Sequence, residues 1–310
     1  MSQGISSGIR SLGISIYRFG TRIALRPRLS PAPLSKSLGV AFSRSSMSNS
    51  LAHRANRIRP RTPARICAKI LCVFILALDT CDARGGVALL RDDLLLQTEA
   101  HTVPEDYSSW LLPAITRVLT SAGLTLSEID LCAVAAGPGS FTGVRMGLTT
   151  VKAWSEVYGR PIAAVSRLEA LAADSSGSAP YVAAFIDARR SQVFAALYRR
   201  QATALGRLEE EMVIAPGKFL GWCTAKVGSE RIDWVSTDPD RLTQTPEWAS
   251  RLGEAETVQG ISSLLAPRIG QIGYRLAQQG RLTDALSLDA NYIRRSDAEL
   301  SWKVPSHHGR

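Results

Sequence analysis

The sequence predicts an α/β fold of two lobes, each built on its own sheet, with the second lobe the smaller. Two observations carry this expectation. From residue 73 onward, short apolar runs bounded by Gly and Asp alternate with longer stretches of helical period. Three closely spaced runs precede the first helix, and a similar strand-rich opening recurs after residue 180.

VFILALD (73–79) is a continuous apolar strand. GGVALLR (85–91) follows across an Asp/Gly turn, and LLLQTEA (94–100) follows Asp92-Asp93. Spacing this tight requires antiparallel hairpins. In SSWLLPAITRVLTSAG (108–123), Leu111, Ile115, Val118 and Ala122 fall on one helical stripe, Pro113 sits in the first turn or at a kink, and Gly123 ends the helix. DLCAVAAG (130–137) is a fourth strand, residues 142–158 a second helix, and PIAAVS (161–166) a fifth strand. This β-β-β-α-β-α-β order is the unit of ribonuclease-H-like domains, from which the two-lobed actin-like ATPase fold is built by duplication.

The helical RLEALAAD (167–174) and the linker SSGSA lead into a second unit. Its strands are YVAAFIDA (181–188) and SQVFAALYRR (191–200), joined through Arg189-Arg190, with EEEMVIAP (209–216) as a third. The stretch to residue 258 is polar and weakly periodic, residues 261–280 form a helix, and residues 289–303 read as a strand returning to the first unit. The expected organisation is a basic leader over 1–69, a first lobe over 70–166 with 286–303 packed back on it, a reduced second lobe over 167–285, and a tail over 304–310.

The formal charge of +10 misleads until it is located. Residues 1–78 hold 13 Lys or Arg and no acid, so the remaining 232 residues carry 24 basic groups against 27 acidic ones. The body is therefore a poor candidate for wrapping phosphates by charge alone. The Ser/Arg-rich leader cannot bury enough surface to offset chain entropy and is expected to be disordered. It has the composition of an organellar transit peptide, or is an N-terminal extension outside the working protein, produced by a mis-assigned start. The apolar run over 70–78 is about half of what a spanning helix needs and fits a buried strand instead. Cys67, Cys72, Cys81, Cys132 and Cys223 form no C-x-x-C pair and are odd in number, which points to reducing cytosol without a disulfide framework or zinc site.

Two stretches could carry chemistry. Asp79-Thr80 ends the first strand, where actin-type ATPases place a carboxylate that reaches magnesium; equally, such an Asp can cap its own turn. The following CDAR departs from the glycine and hydroxyls that such phosphate hairpins keep. In GPGSFTGVR (137–145), Gly137, Gly139 and Gly143 permit unusual backbone, and Ser140 or Thr142 can cap the next helix. That turn suits an anion or the close approach of another backbone. It matches neither a Walker A loop nor G-x-G-x-x-G. The four histidines, His53, His101, His307 and His308, form no metal-ligand spacing, and His101 reads as a solvated loop residue. Arg189-Arg190 and Arg294-Arg295 read as surface charges.

ILALDT (75–80), AAGPGSFTGVRMGL (135–148), FIDARRSQVF (185–194) and YIRRSDAELSWK (292–303) together resemble the TsaB (YeaZ) family, over about residues 73–303. The resemblance implies a non-catalytic paralogue of TsaD, the subunit that transfers a threonylcarbamoyl group to adenosine beside the tRNA anticodon. It implies no cofactor or metal, docking on a TsaD-type subunit through first-lobe helices, self-association through the same face, and a TsaE-type ATPase joining the assembly. tRNA is then met indirectly, in the cytoplasm and without a membrane. The implied contact comprises Leu111, Ile115 and Val118 of one helix and Arg145, Leu148, Val151 and Lys152 of the next, with Asp79 and Thr80 a vestige of a nucleotide site. Where many relatives carry His-Thr before the apolar helix, this chain has Tyr107-Ser108. The alternatives are an active actin-fold kinase or carbamoyl transferase using Asp79 and Mg-ATP, and tRNA recruitment by the basic leader.

Overall fold

The computed structural model describes residues 72–102, 106–202, 204–251 and 256–294. All of these belong to one compact unit, Pro63–Arg310. The leader over 1–69 and the tail over 304–310 lie outside the described residues.

The first sheet begins as an antiparallel meander of β1 (Phe74–Asp79), β2 (Gly86–Arg91) and β3 (Leu94–Ala100). Helix α1 (Tyr107–Ser121) then crosses to β4 (Leu131–Gly137), which pairs parallel with β1. Helix α2 (Phe141–Tyr158) leads to β5 (Ile162–Ser166), parallel to β4. The strand order is β3-β2-β1-β4-β5. β1 and β4 lack polar alternation because both faces of this sheet are covered.

A short helix, α3 (Arg167–Ala173), opens the second lobe. Strands β6 (Tyr181–Asp187) and β7 (Val193–Arg200) are antiparallel, and β8 (Leu205–Arg207) and β9 (Met212–Ile214) both pair with β7. After α4 (Pro216–Val227) comes β10 (Ile232–Ser236), parallel to β6. The short helices α5 (Asp240–Thr243) and α6 (Pro246–Ala249) precede β11 (Val258–Gly260), parallel to β10. The order β11-β10-β6-β7-β8 repeats the first sheet strand for strand, with the same alternation of antiparallel and parallel neighbours. The reduction expected of the second copy lies in its edge strands, which have three residues each.

Helix α7 (Ala266–Gln278) differs from the expected layout. It falls inside 167–285, yet it packs against β1, β2, β4 and β5 of the first sheet. The pairing registers explain why. Ala88 pairs with Ala77, Ala77 with Ala133, and Ala133 with Ala163, so four alanines form a row across the sheet. Gly273 lies on that row: a Cβ added there would stand 2.8 Å from the Cβ of Ala133 and 3.3 Å from that of Ala163. Small side chains on both surfaces let helix and sheet lie flat together, with Ile269 and Ile272 filling the flanks. The chain then turns back along the first lobe: the Asn291 backbone N–H donates to the Ala136 carbonyl at 2.8 Å. The described part of the expected closing strand, up to Arg294, is irregular, and the rest lies outside the described residues.

Gly273→Val should lower stability by about 1–3 kcal/mol through overpacking against the alanine row. Gly221→Ala, in α4 with nothing within 4 Å of the added carbon, should leave stability unchanged or raise it by up to about 1 kcal/mol. Urea midpoints at constant m-value check both.

Candidate functional site

The two stretches singled out in the sequence meet at the end of β1. The Thr80 hydroxyl donates to the Gly143 carbonyl at 2.6 Å, and the Ser140 backbone N–H donates to the Cys81 carbonyl at 2.7 Å. Ser140 caps α2 by accepting from the Gly143 N–H at 3.1 Å. A Cβ on Gly143 would lie 2.1 Å from the Thr80 carbonyl oxygen, and one on Gly139 2.3 Å from that of Cys81. The glycines thus admit the β1 backbone to the start of α2. Carbonyl oxygens occupy the approach an anion would need, and their partial charge already faces the positive helix end. Thr142 is exposed on the first turn and takes no part in the cap.

Asp79 is fully buried and both of its oxygens are engaged. Oδ1 accepts from the Cys81 backbone N–H at 3.0 Å, and Oδ2 accepts from Arg167 Nε at 3.1 Å. Arg167 is itself 1% exposed and also donates from both terminal nitrogens to Asp82 Oδ2 at 3.3 Å. Burial is the largest influence and opposes its charge, but Asp79, Cys81 and Asp82 together overcome it and raise its pKa further above the ordinary range. The Cys81 thiol is pushed well above its usual pKa by burial and then by the Asp79 charge. These residues do not fit a magnesium–nucleotide centre, because a cation at Asp79 would have to expel a guanidinium already bonded there.

In the sequence Arg167 is one residue of an ordinary helical stretch. One signal marks it: a cation at the first position of α3 faces the positive end of the helix dipole, which requires a compensating anion. A second ionic cluster, also unforeseen, ties the lobes nearby. Glu211, with 2% of its side chain exposed, accepts from the hydroxyl of Ser166, from Tyr198 at 3.4 Å and from the Asn291 amide at 2.6 Å, and pairs with Arg207 at 3.5 Å. Burial and the charge of Glu211 push the Tyr198 phenol well above its ordinary pKa.

The expected contact surface needs correction. Leu111, Ile115, Val118, Leu148 and Val151 are sealed in the core of their own lobe, each at most 5% exposed. Their stripes face the sheet beneath them, which is the nearest apolar surface. Arg145 is exposed and Lys152 half-buried. The outward faces of the same helices carry Leu112, Thr116, Thr149 and Ala153. His101 is also not the solvated residue expected: it is buried, its Nδ1 bonds the Ala83 carbonyl at 2.8 Å, and it stacks on Tyr107 at 4.0 Å. Tyr107 donates its hydroxyl to the Asp82 carbonyl at 2.7 Å. No group of three or more metal-ligating side chains occurs among the described residues, and no helix among them is long and apolar enough to cross a membrane.

A duplicated ribonuclease-H-like unit, with a carboxylate ending its first strand and a cleft between its sheets, defines a protein of the actin-like ATPase fold class. The family model for TsaD, tRNA N6-adenosine threonylcarbamoyltransferase, matches residues 100–246. The chain is 28% identical to the tRNA threonylcarbamoyladenosine biosynthesis protein TsaB of Bacillus subtilis, over 74% of this chain and 97% of that protein. Its identity to TsaB of Escherichia coli is 34%, over 46% of this chain and 62% of the relative. The solved structure of YeaZ from Pseudomonas aeruginosa superposes with a TM-score of 0.57 at 27% identity, covering 71% of this chain and 99% of that one. In sequence and in fold the chain is thus similar to TsaB (YeaZ) proteins.

Arg167→Met should destabilise the protein by about 3–5 kcal/mol by leaving Asp79 charged and unpaired, whereas Asp79→Asn combined with Arg167→Met should recover most of that loss. Denaturant titrations of the three variants give the coupling. Burial also pushes the Cys132 thiol up to about 12 and raises that of Cys223. At pH 8 in the native state, iodoacetamide should therefore modify the half-buried Cys72 while sparing Cys81, Cys132 and Cys223, as peptide mapping before and after unfolding would show.

Proposed function

We propose that this protein is a non-catalytic subunit of tRNA threonylcarbamoyladenosine synthesis that docks on a TsaD-type catalytic subunit and holds it in a competent shape. The observation that supports this most directly is Arg167 bonded to Asp79: the carboxylate that would recruit magnesium in an actin-fold enzyme is neutralised from within. The same observation weighs against a Mg-ATP-dependent kinase or carbamoyl transferase. Kinship to TsaB proteins, and the match of residues 100–246 to the TsaD model, supply the pathway and the kind of partner.

The docking face is the outward side of α1 and α2, with Leu112, 57% exposed, beside Thr116, and Thr149, Ala153, Arg145 and Lys152 on the neighbouring helix. Small and apolar groups there allow two helices of a related lobe to lie close, and the two cations set orientation. Self-association uses the same face when the catalytic subunit is absent. A TsaE-type ATPase joins the pair, and tRNA is held chiefly by the catalytic subunit.

Co-expression with a TsaD-type subunit, followed by titration calorimetry, tests this. Leu112→Glu and Thr149→Glu should each weaken the complex at least tenfold without changing the melting temperature. The purified protein should hydrolyse no Mg-ATP. Undiminished affinity in both variants would remove this face from the proposal, and hydrolysis abolished by Asp79→Asn would overturn the non-catalytic reading.

A further inference from the structure

The cleft between the two sheets encloses about 910 Å³ and is lined by six arginines against three aspartates. That concentration is notable in a body whose acids outnumber its bases. Arg167 is committed to Asp79 and Asp82, and Arg241 to Asp187 and Asp238. Others keep their charge available. Arg84 is exposed and makes no hydrogen bond or ion pair with any described residue. Among the described residues Arg294 donates only to neutral groups, the Ala188 carbonyl at 2.8 Å and the Gln192 side chain, with its guanidinium 5.8 Å from the Phe194 ring centre. Arg189, its side chain 78% exposed, shares Asp187 with Arg241.

The turn that presents Arg189 is strained. Arg189, Arg190 and Ser191 have φ of 61°, 52° and 54°, three consecutive non-glycine residues in the left-handed region. Glycine would take this turn more easily, so keeping arginines there raises two guanidinium groups at the cleft wall against the backbone's preference. The wall also carries an aromatic pair: Phe141 and Tyr292 stack at 5.2 Å and are both exposed. Arg145 lies 3.7 Å over the Phe141 ring and donates to the Tyr292 hydroxyl at 2.9 Å, which steadies that pair.

Arginines for phosphate and a preset aromatic wall for a base are the two components of single-strand recognition. We propose that this cleft binds a single-stranded RNA segment, without a metal ion, through Arg84, Arg189 and Arg294 on its phosphates and Tyr292 against a base. The volume suits roughly one or two nucleotides, with the strand running out at the mouth. A duplex is too wide, and its bases are stacked away from the ring. The inference deepens the proposed function by giving this subunit its own hold on an unpaired stretch of RNA.

The test uses the full chain, a fluorescein-labelled seven-nucleotide RNA, EDTA throughout, and unlabelled ATP as a competing arm. Anisotropy should report binding that needs no metal. Arg84→Ala/Arg294→Ala should weaken it at least tenfold and flatten the slope of log K against log salt by about 1.4. Tyr292→Ala should weaken it at least fivefold, with circular dichroism unchanged in each variant. Leu112→Glu should leave RNA binding intact, so failure of the docking face and failure of the cleft can be told apart. Equal affinity in the arginine variants would assign the binding to the basic leader and overturn the proposal. So would absence of RNA binding, or displacement of the RNA by micromolar ATP, which would make the cleft a site for free nucleotide.

Discussion

Arg167 pairs with Asp79 where no water reaches either group, and the arrangement of both lobes follows from that contact. Two charges brought out of water need close geometry and further hydrogen bonds to be tolerated. The molecule supplies both: the Cys81 N–H on the remaining oxygen of Asp79, and Asp82 as a second acceptor for the guanidinium. The pair joins the end of the first strand to the first residue of α3, where the chain leaves the first sheet for the second. The end of β1, the turn before α2 and the entry to the second lobe are thereby fixed to one another. In a nucleotide-dependent relative of this fold, the same place would have to stay open to a metal ion.

A second constraint acts from the opposite face. The alanine row across β2, β1, β4 and β5 selects a helix with glycines on its contact surface, and α7 is drawn to it although more than a hundred residues separate that helix from the last of the four alanines. With α1 and α2 on one side and α7 on the other, the first sheet is buried on both faces. The central strands can therefore be apolar throughout. The second sheet keeps its own smaller core around Phe185, Phe219 and Trp234.

Much of this was legible in the sequence, and the failures share a physical cause. The first five strands and two helices of the first lobe were placed within about two residues, because continuous apolar runs and tight glycine turns are local signals. β8, α4, β10, α5, α6 and β11 have no counterpart in the sequence reading. IDWVS mixes polar and aromatic residues, and the three-residue edge strands are shorter than any periodicity can resolve. The resemblance implies Leu148 and Val151 as docking residues, whereas they face their own sheet. An apolar stripe states that a helix has a partner surface and does not say which one. The sequence around Gly139 and Gly143 leaves open an anion or another backbone as the neighbour, because the atoms that approach, the carbonyls of Thr80 and Cys81, lie far away in sequence. Arg167 pairs with carboxylates more than eighty residues away, and Glu211 accepts hydrogen bonds from the distant Ser166 and Asn291; contacts at such separations leave almost no pattern along the chain.

Stiffness links these features to the proposed role. An enzyme of this fold gains from lobes that open and close around a substrate, since closure excludes water and completes the site. Here the junction carries two ionic clusters side by side, each centred on a buried charged group. One is Arg167 with Asp79 and Asp82; the other is Glu211 with Ser166, Tyr198, Arg207 and Asn291. The second cluster joins the cap of α3, a central strand of the second sheet and the returning tail, and that tail is held to the first sheet through Ala136. Opening the lobes would have to break these hydrogen-bonded contacts together, a larger cost than a loop hinge imposes. A body braced in this way would suit the two proposed roles, docking through the outer faces of α1 and α2 and RNA binding in the arginine-lined cleft, since each needs a fixed surface.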